Sequence, residues 1–145
     1  FRTMLAAGLR VSEVADLKPS DVILERGMVF LHVRHGKGDK ERLAPVTNAE
    51  VARELLELAK ERQGQPGLFG VTAGTLKVHA HNLRKATGVD FHAHRLRHTL
   101  ATRLLAQGIP IDVVQKVLGH ADISTTRRYA ETMPEALFRV AAKVD

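Results

Sequence analysis

The sequence predicts a mainly helical domain with one small antiparallel β-hairpin, and three observations carry that expectation. Apolar residues recur at helical spacing in most segments, as at Leu96, Leu100 and Leu104. Two short apolar or β-branched runs, Met28 to Val33 and Arg42 to Val46, flank the turn-forming stretch His35-Gly36-Lys37-Gly38-Asp39. With 145 residues, 44% hydrophobic and 26% charged, there is material for one domain with a modest core and no room for a second.

In order along the chain, Phe1 to Ala7 reads as the end of a helix closed at Gly8. A short helix follows with Val11, Val14, Ala15 and Leu17 as its apolar face, ending before Pro19. Leu24 to Gly27 turns the chain into the hairpin, whose loop holds a glycine-flanked lysine. Thr47-x-x-Glu50 is a capping box opening a helix with the stripe Val51, Leu55 and Leu58, stopped by Gly64 and Pro66. Thr75 to Thr87 is helical, with Leu76 and Leu83 inward and basic side chains outward. The Leu96 helix ends at Gly108, and Pro110 starts another that carries Val113, Val114, Val117 and Leu118 and closes at Gly119. Ser124 to Ala130 fits a short helix and Pro134 to Lys143 a last one.

No apolar run approaches the roughly 20 residues of a membrane span, which excludes a helical membrane protein. The absence of cysteine removes disulfides, thiolate nucleophiles and cysteine-type zinc sites. The opening at Phe1, inside a predicted helix, leads us to expect a chain that has lost an N-terminal portion, not a complete product with a targeting peptide.

Charge is distributed unevenly. The net charge is +6, and between Lys77 and Arg103 the cations Lys77, Arg84, Lys85, Arg95, Arg97 and Arg103 face a single acid, Asp90. His79, His81, His92, His94 and His98 share this window. Such a block suits a polyanion; a solvated helix face is the bland alternative.

Several residues invite a chemical reading. Arg10, three before Glu13, suits a surface ion pair, yet a cation near a helix N-terminus opposes the macrodipole unless an anion sits there too. A phosphate would reconcile the two. Lys37 lies in a Gly-Lys-Gly loop that does not fit a nucleotide-binding P-loop, because Leu31 stands where the first glycine belongs and Gly38 where Ser or Thr belongs. A hairpin loop can instead extend an ammonium as a proton donor to a leaving oxygen.

His94 and Arg97 project from one helix face. His94 with His98 could form half of a metal site, though no acid stands between them and Arg97 would repel the cation. Alternatively His94 and Arg97 grip a phosphate. His120, after Gly119, suits a structural histidine at a helix end, where its charge would favour the dipole. Tyr129, the only tyrosine, suits a half-buried aromatic with a wet hydroxyl, yet it follows Arg127 and Arg128, cations that favour its phenolate.

Read together, four segments resemble the catalytic domain of the tyrosine recombinases, the phage integrase family. They are Ala7-Gly8-Leu9-Arg10-Val11-Ser12-Glu13, Gly36-Lys37-Gly38-Asp39-Lys40-Glu41-Arg42, His94-Arg95-Leu96-Arg97-His98-Thr99-Leu100-Ala101-Thr102, and Leu118-Gly119-His120 with Tyr129 nine residues later. The resemblance runs from Ala7 to Ala130.

It implies the fold of the DNA breaking and rejoining enzymes, with residues 1–145 forming a catalytic domain that lacks the family's N-terminal core-binding domain. Arg10 and Arg97 would hold the scissile phosphate, Lys37 would protonate the leaving 5′-oxygen, and His94 would be the acid/base. His120 would donate a hydrogen bond to the phosphate and Tyr129 would be the nucleophile. Glu13 would brace the site and His98 would pack behind it. Lys40, Arg42, Lys77, Arg84, Lys85, Arg95, Arg127 and Arg128 would face DNA.

The resemblance further implies double-stranded DNA as partner, no metal or other cofactor, a tetramer on two duplexes and a place on the cytoplasmic nucleoid. Glu135 to Lys143 would either link protomers by exchange or pack on its own subunit. Two other readings share some features. A helix-turn-helix regulator suits Thr99 to Tyr129 but leaves Arg10 and Lys37 unexplained. A type IB topoisomerase would share the chemistry without pairing two sites.

Overall fold

The structure is a computed structural model, and it describes residues 1–34, 41–90, 92–119 and 135–142. Two short helices, α1 (Arg2–Ala7) and α2 (Val11–Asp16), lead through a 3₁₀ turn at Pro19–Asp21 into the sheet. The strands β1 (Val22–Glu25), β2 (Met28–Val33) and β3 (Arg42–Pro45) form an antiparallel sheet in the order β1-β2-β3. Then come α3 (Ala49–Glu61), α4 (Ala73–Thr87), α5 (Ala93–Ala106), α6 (Ile111–Val117) and α7 (Glu135–Ala142).

The third strand, β1, departs from the sequence expectation, which gave Leu24 and Glu25 to a turn. They pair instead with Val29 and Met28, and the turn proper is Arg26-Gly27, both at positive φ (50° and 73°). Positive φ at both central residues is what a tight hairpin needs to match strand twist. For Arg26 it is unfavourable locally, but its guanidinium lies 4.3 Å above the Phe138 ring and 2.8 Å from Glu135 Oε1. Contacts with α7, over a hundred residues away, thus support a turn that local propensity does not.

The sheet is covered on both faces, which is why β2 reads as an apolar run broken only at His32 and not as an alternation. Val29, Leu31 and Val33 join Met4, Leu9, Val14, Val51 and Leu55 in one core, with α1, α2 and α3. Phe30 and Leu43 join Leu100, Leu104, Val114, Val117, Leu137 and Phe138 in the other, with α5, α6 and α7. Phe30 meets Phe138 edge to face at 5.3 Å between ring centroids. The last helix thus contributes Leu137, Phe138 and Val140 to this second core.

Two helix expectations shift. The N-cap of α3 is Asn48, whose side chain accepts from the Val51 N–H, and not Thr47, whose buried hydroxyl donates to the Ala6 carbonyl at 2.7 Å. In α4 no residue is buried. Leu76 packs against the first core, but Leu83, expected inward, is 40% exposed.

Gly8 joins α1 to the second core. It caps α1 at φ 67°, and a Cβ there would come 2.6 Å from Leu118 Cδ2 and 3.0 Å from Leu100 Cδ2. Gly8→Ala would combine left-handed strain with overpacking, a loss of about 2–4 kcal/mol. Urea denaturation should show the midpoint falling at unchanged slope.

Candidate active site

Glu13 lies in the first turn of α2, where its side chain accepts the Arg10 N–H at 2.7 Å and so caps its own helix. The carboxylate is 1% exposed, and a lone buried charge would be costly. Arg42 offsets that cost, donating from Nη1 and Nη2 to Glu13 Oε1 and Oε2 at 2.7 and 2.9 Å. Arg10 donates to Oε1 from its own guanidinium at 2.9 Å. Arg97 Nη1 stands 3.8 Å from Oε2.

One carboxylate thus gathers three guanidinium groups from α2, β3 and α5. Arg10 and Arg97, 87 residues apart in sequence, meet around it. Arg97 is nearly buried and is fixed by two backbone carbonyls, Gly8 O at 2.6 Å and Leu118 O at 2.8 Å. Both lie at helix ends, where carbonyls lack intrahelical partners.

The electrostatics follow from this crowding. Burial pushes the Glu13 carboxyl up, but the hydrogen bonds and charge of Arg42, joined by Arg10, outweigh it and hold the group below the usual carboxylate range. For Arg97, burial comes first, then the charges of Arg10 and Arg42, with Glu13 opposing; together they lower its pKa to about 10. Three cations against one anion leave a positive surplus, and Arg10 keeps 28% of its side chain exposed. A bound anion would relieve that surplus.

Arg42 stands differently from the expectation that it faces DNA. Its side chain is 2% exposed, committed to Glu13 and, through Nε, to the Val117 carbonyl at 3.2 Å. Paired opposite Val33 in the sheet, it points into the protein because its partner carboxylate is there. It also lies against Gly119, where a Cβ would meet Arg42 Cδ at 3.0 Å. An arginine opening an apolar strand was the signal in the sequence for this inward role.

His94 is exposed in the first turn of α5, three residues before Arg97. His98 is exposed too, so the packing role expected for it does not hold: its position on α5 faces solvent. Lys77, Arg84, Lys85 and Arg95 are exposed, and Asp90 draws Arg95 to 3.0 Å and His92 to 2.8 Å. Among the described residues no three His, Asp or Glu side chains are grouped to hold a metal. Lys37, Lys40, His120, Arg127, Arg128 and Tyr129 lie outside the described residues.

A sequence model described as the "Phage integrase family" matches residues 1–135. A curated relative, the tyrosine recombinase XerA of Thermococcus kodakarensis (strain ATCC BAA-918 / JCM 12380 / KOD1), is 34% identical across 97% of this chain and 52% of its own length. The crystal structure of XerA recombinase superposes with a TM-score of 0.65 at 32% identity, covering 97% of this chain and 55% of that one. XerH site-specific recombinase bound to a palindromic difH substrate, a post-cleavage complex, gives a TM-score of 0.67 at 26% identity, covering 90% and 42%.

The fold is that of a tyrosine recombinase catalytic domain. This chain belongs to the phage integrase family. It spans about half the length of the curated relatives it matches.

Removing the shared carboxylate leaves three cations uncompensated. Glu13→Gln should cost about 3–5 kcal/mol at neutral pH, measured by urea denaturation. Because the folded carboxyl titrates below its unfolded value, its contribution is present above the unfolded pKa of about 4.3 and lost as pH falls through the lower folded value. The variant should therefore lose less stability than the parent between about pH 5 and pH 2.

Proposed function

We propose that this chain is the catalytic portion of a site-specific DNA recombinase or integrase, cutting and rejoining one strand of a duplex through a covalent 3′-phosphotyrosine. The observation that carries the reading is the convergence of Arg10 and Arg97 on Glu13, with positive charge to spare. Attack at a phosphodiester concentrates negative charge on the non-bridging oxygens, and fixed guanidinium donors stabilise it there without reorganising. No metal ion is called on.

In this reading the Tyr129 hydroxyl attacks phosphorus and gives up its proton, with His94 the candidate acceptor. The bond from phosphorus to the 5′-oxygen breaks, and Lys37 supplies the proton that makes a free 5′-hydroxyl. His120 donates a hydrogen bond to the phosphoryl group. The ester keeps the bond energy, so a 5′-hydroxyl from either duplex can reverse the step without ATP. Glu13 and Arg42 touch no substrate; they hold Arg10 and Arg97 in place.

Duplex DNA is the partner, supported by the XerH complex and by the exposed cations Lys77, Arg84, Lys85 and Arg95. Lys40, Arg127 and Arg128 would add to that surface, and Arg42 would not. The phosphate contacts make binding strongly dependent on salt. The complete reaction joins four protomers on two duplexes in the cytoplasm, at the nucleoid. No helix among the described residues is long and apolar enough to cross a membrane.

The test uses the full-length protein and a pool of duplexes nicked in one strand, with randomised sequence around the nick. Adducts that survive denaturant should form, persist in excess EDTA and vanish in Tyr129→Phe while DNA binding remains. Adduct in that variant would overturn Tyr129 as nucleophile. Binding with no adduct from any pool would favour the helix-turn-helix regulator. On a recovered duplex, Arg97→Ala or Arg10→Ala should slow adduct formation by about a hundredfold or more.

A further inference from the structure

The proposed chemistry leaves the partly buried His32 of the hairpin unused. His32 interrupts the apolar run of β2, and its ring lies between two carboxylates. Nδ1 is 3.6 Å from Asp21 Oδ1, and Nε2 is 3.4 Å from Glu41 Oε2. Asp21 is buried in the 3₁₀ turn, where Oδ2 accepts the Lys18 N–H at 2.8 Å. Its Oδ1 receives no well-aligned hydrogen bond, although Arg34 Nη2 is 2.8 Å away. Glu41 is the residue immediately before Arg42 and β3.

His32 also borders a cavity of about 380 Å³. Besides Asp21, the charged groups around that cavity are Glu13 and Asp16 of α2, Lys18, and Arg34 of the hairpin. Glu13 is already saturated by guanidinium groups. Arg34 is drawn to Asp21, and Lys18 is exposed. Among the described residues, the carboxylates within 4 Å of the ring are Asp21 and Glu41.

A neutral imidazole has one N–H and serves one of these carboxylates; an imidazolium donates from both nitrogens and serves both. We propose that His32 is a positioning residue, which as an imidazolium bridges Asp21 to Glu41 and fixes the start of β3, from which Arg42 reaches Glu13. Protonation in the hairpin is thereby coupled to the carboxylate that holds the two phosphate-binding arginines. The catalytic half of this inference rests on the function proposed above; the structural half does not.

The Asp21 carboxylate beside the ring is the largest influence on His32 and raises its pKa; burial opposes, and Glu41 adds to the rise. The sign follows. The bridge is complete below the unfolded histidine pKa of about 6.5 and is lost as pH rises through the higher folded value.

Two measurements test this on the full-length protein. Amide hydrogen exchange at Arg42, Leu43 and Ala44, corrected for intrinsic rates, should show protection falling several-fold from about pH 6 to pH 8.5 in the parent. In His32→Gln and in Glu41→Gln the protection should be lower and flat with pH. At saturating concentrations of the duplex recovered from the randomised pool, the parent should form adduct about three- to tenfold faster than either variant at pH 6, with the ratio approaching one by pH 8.5.

A ratio that stays constant with pH would mark His32 as merely structural and overturn the positioning role. Identical exchange profiles in parent and variants would overturn the bridge itself, and Glu41→Gln decides the matter if His32→Gln does not fold. Should no adduct form at any pH while the exchange result holds, the DNA-cleavage reading fails and the coupling of His32 to β3 stands.

Discussion

A single buried carboxylate organises this molecule's site, and its solvation is the constraint that the surrounding elements satisfy. Glu13 has almost no access to water, so its charge must be met by the protein. Arg42 meets it bidentately from β3, Arg10 from the head of the same helix, and Arg97 lies just beyond bonding distance from α5. The cluster ties together three elements that share no local sequence. The same guanidiniums reach further, Arg42 to the Val117 carbonyl and Arg97 to those of Gly8 and Leu118. The end of α6, at Val117 and Leu118, is thus held by the residues that hold the acid. The anion neutralises only one of the three cations, yet it keeps all three gathered in one place.

The two-sided sheet makes this arrangement rigid. Because β2 is buried on both faces, the helices on each side are registered against one wall, and small displacements are resisted by packing on the other. Gly8 shows how close the fit is: α1 approaches Leu100 and Leu118 so nearly that no Cβ is accommodated, and its carbonyl receives Arg97 at that point. The cation that touches the substrate in the proposed reaction is therefore set by backbone atoms, which reorganise least. A preorganised positive site of this kind stabilises developing charge without first having to assemble.

Much of the fold was legible in sequence where the signals were short-range. Gly8 as a cap, the helix around Leu96, Leu100 and Leu104, and the hairpin pairing Met28 to Val33 with Arg42 onward all came from spacing and turn chemistry. Misreadings fell where a distant partner outbid the local signal. Thr47 carries a good capping hydroxyl but gives it to the Ala6 carbonyl, so Asn48 caps α3. Arg26 occupies a turn position better suited to Asn or Gly, supported by Phe138 and Glu135. Leu83 has inward periodicity on a helix with no buried residue, and His98 likewise faces solvent.

By itself, then, the sequence determined which elements form and which residue types could handle a phosphate, because caps, turns and periodicity act over a few residues. Its motif order also pointed to the family. Tertiary structure alone decided which charges meet. Local sequence does not say which acid each arginine meets: Arg42 is enclosed with Glu13, and Arg95 is exposed beside Asp90. Nor does spacing reveal that Arg97 would find carbonyls 89 residues back and 21 ahead. Electrostatic partners are chosen by proximity in space and by how far each pair is removed from water, and both are properties of the folded chain.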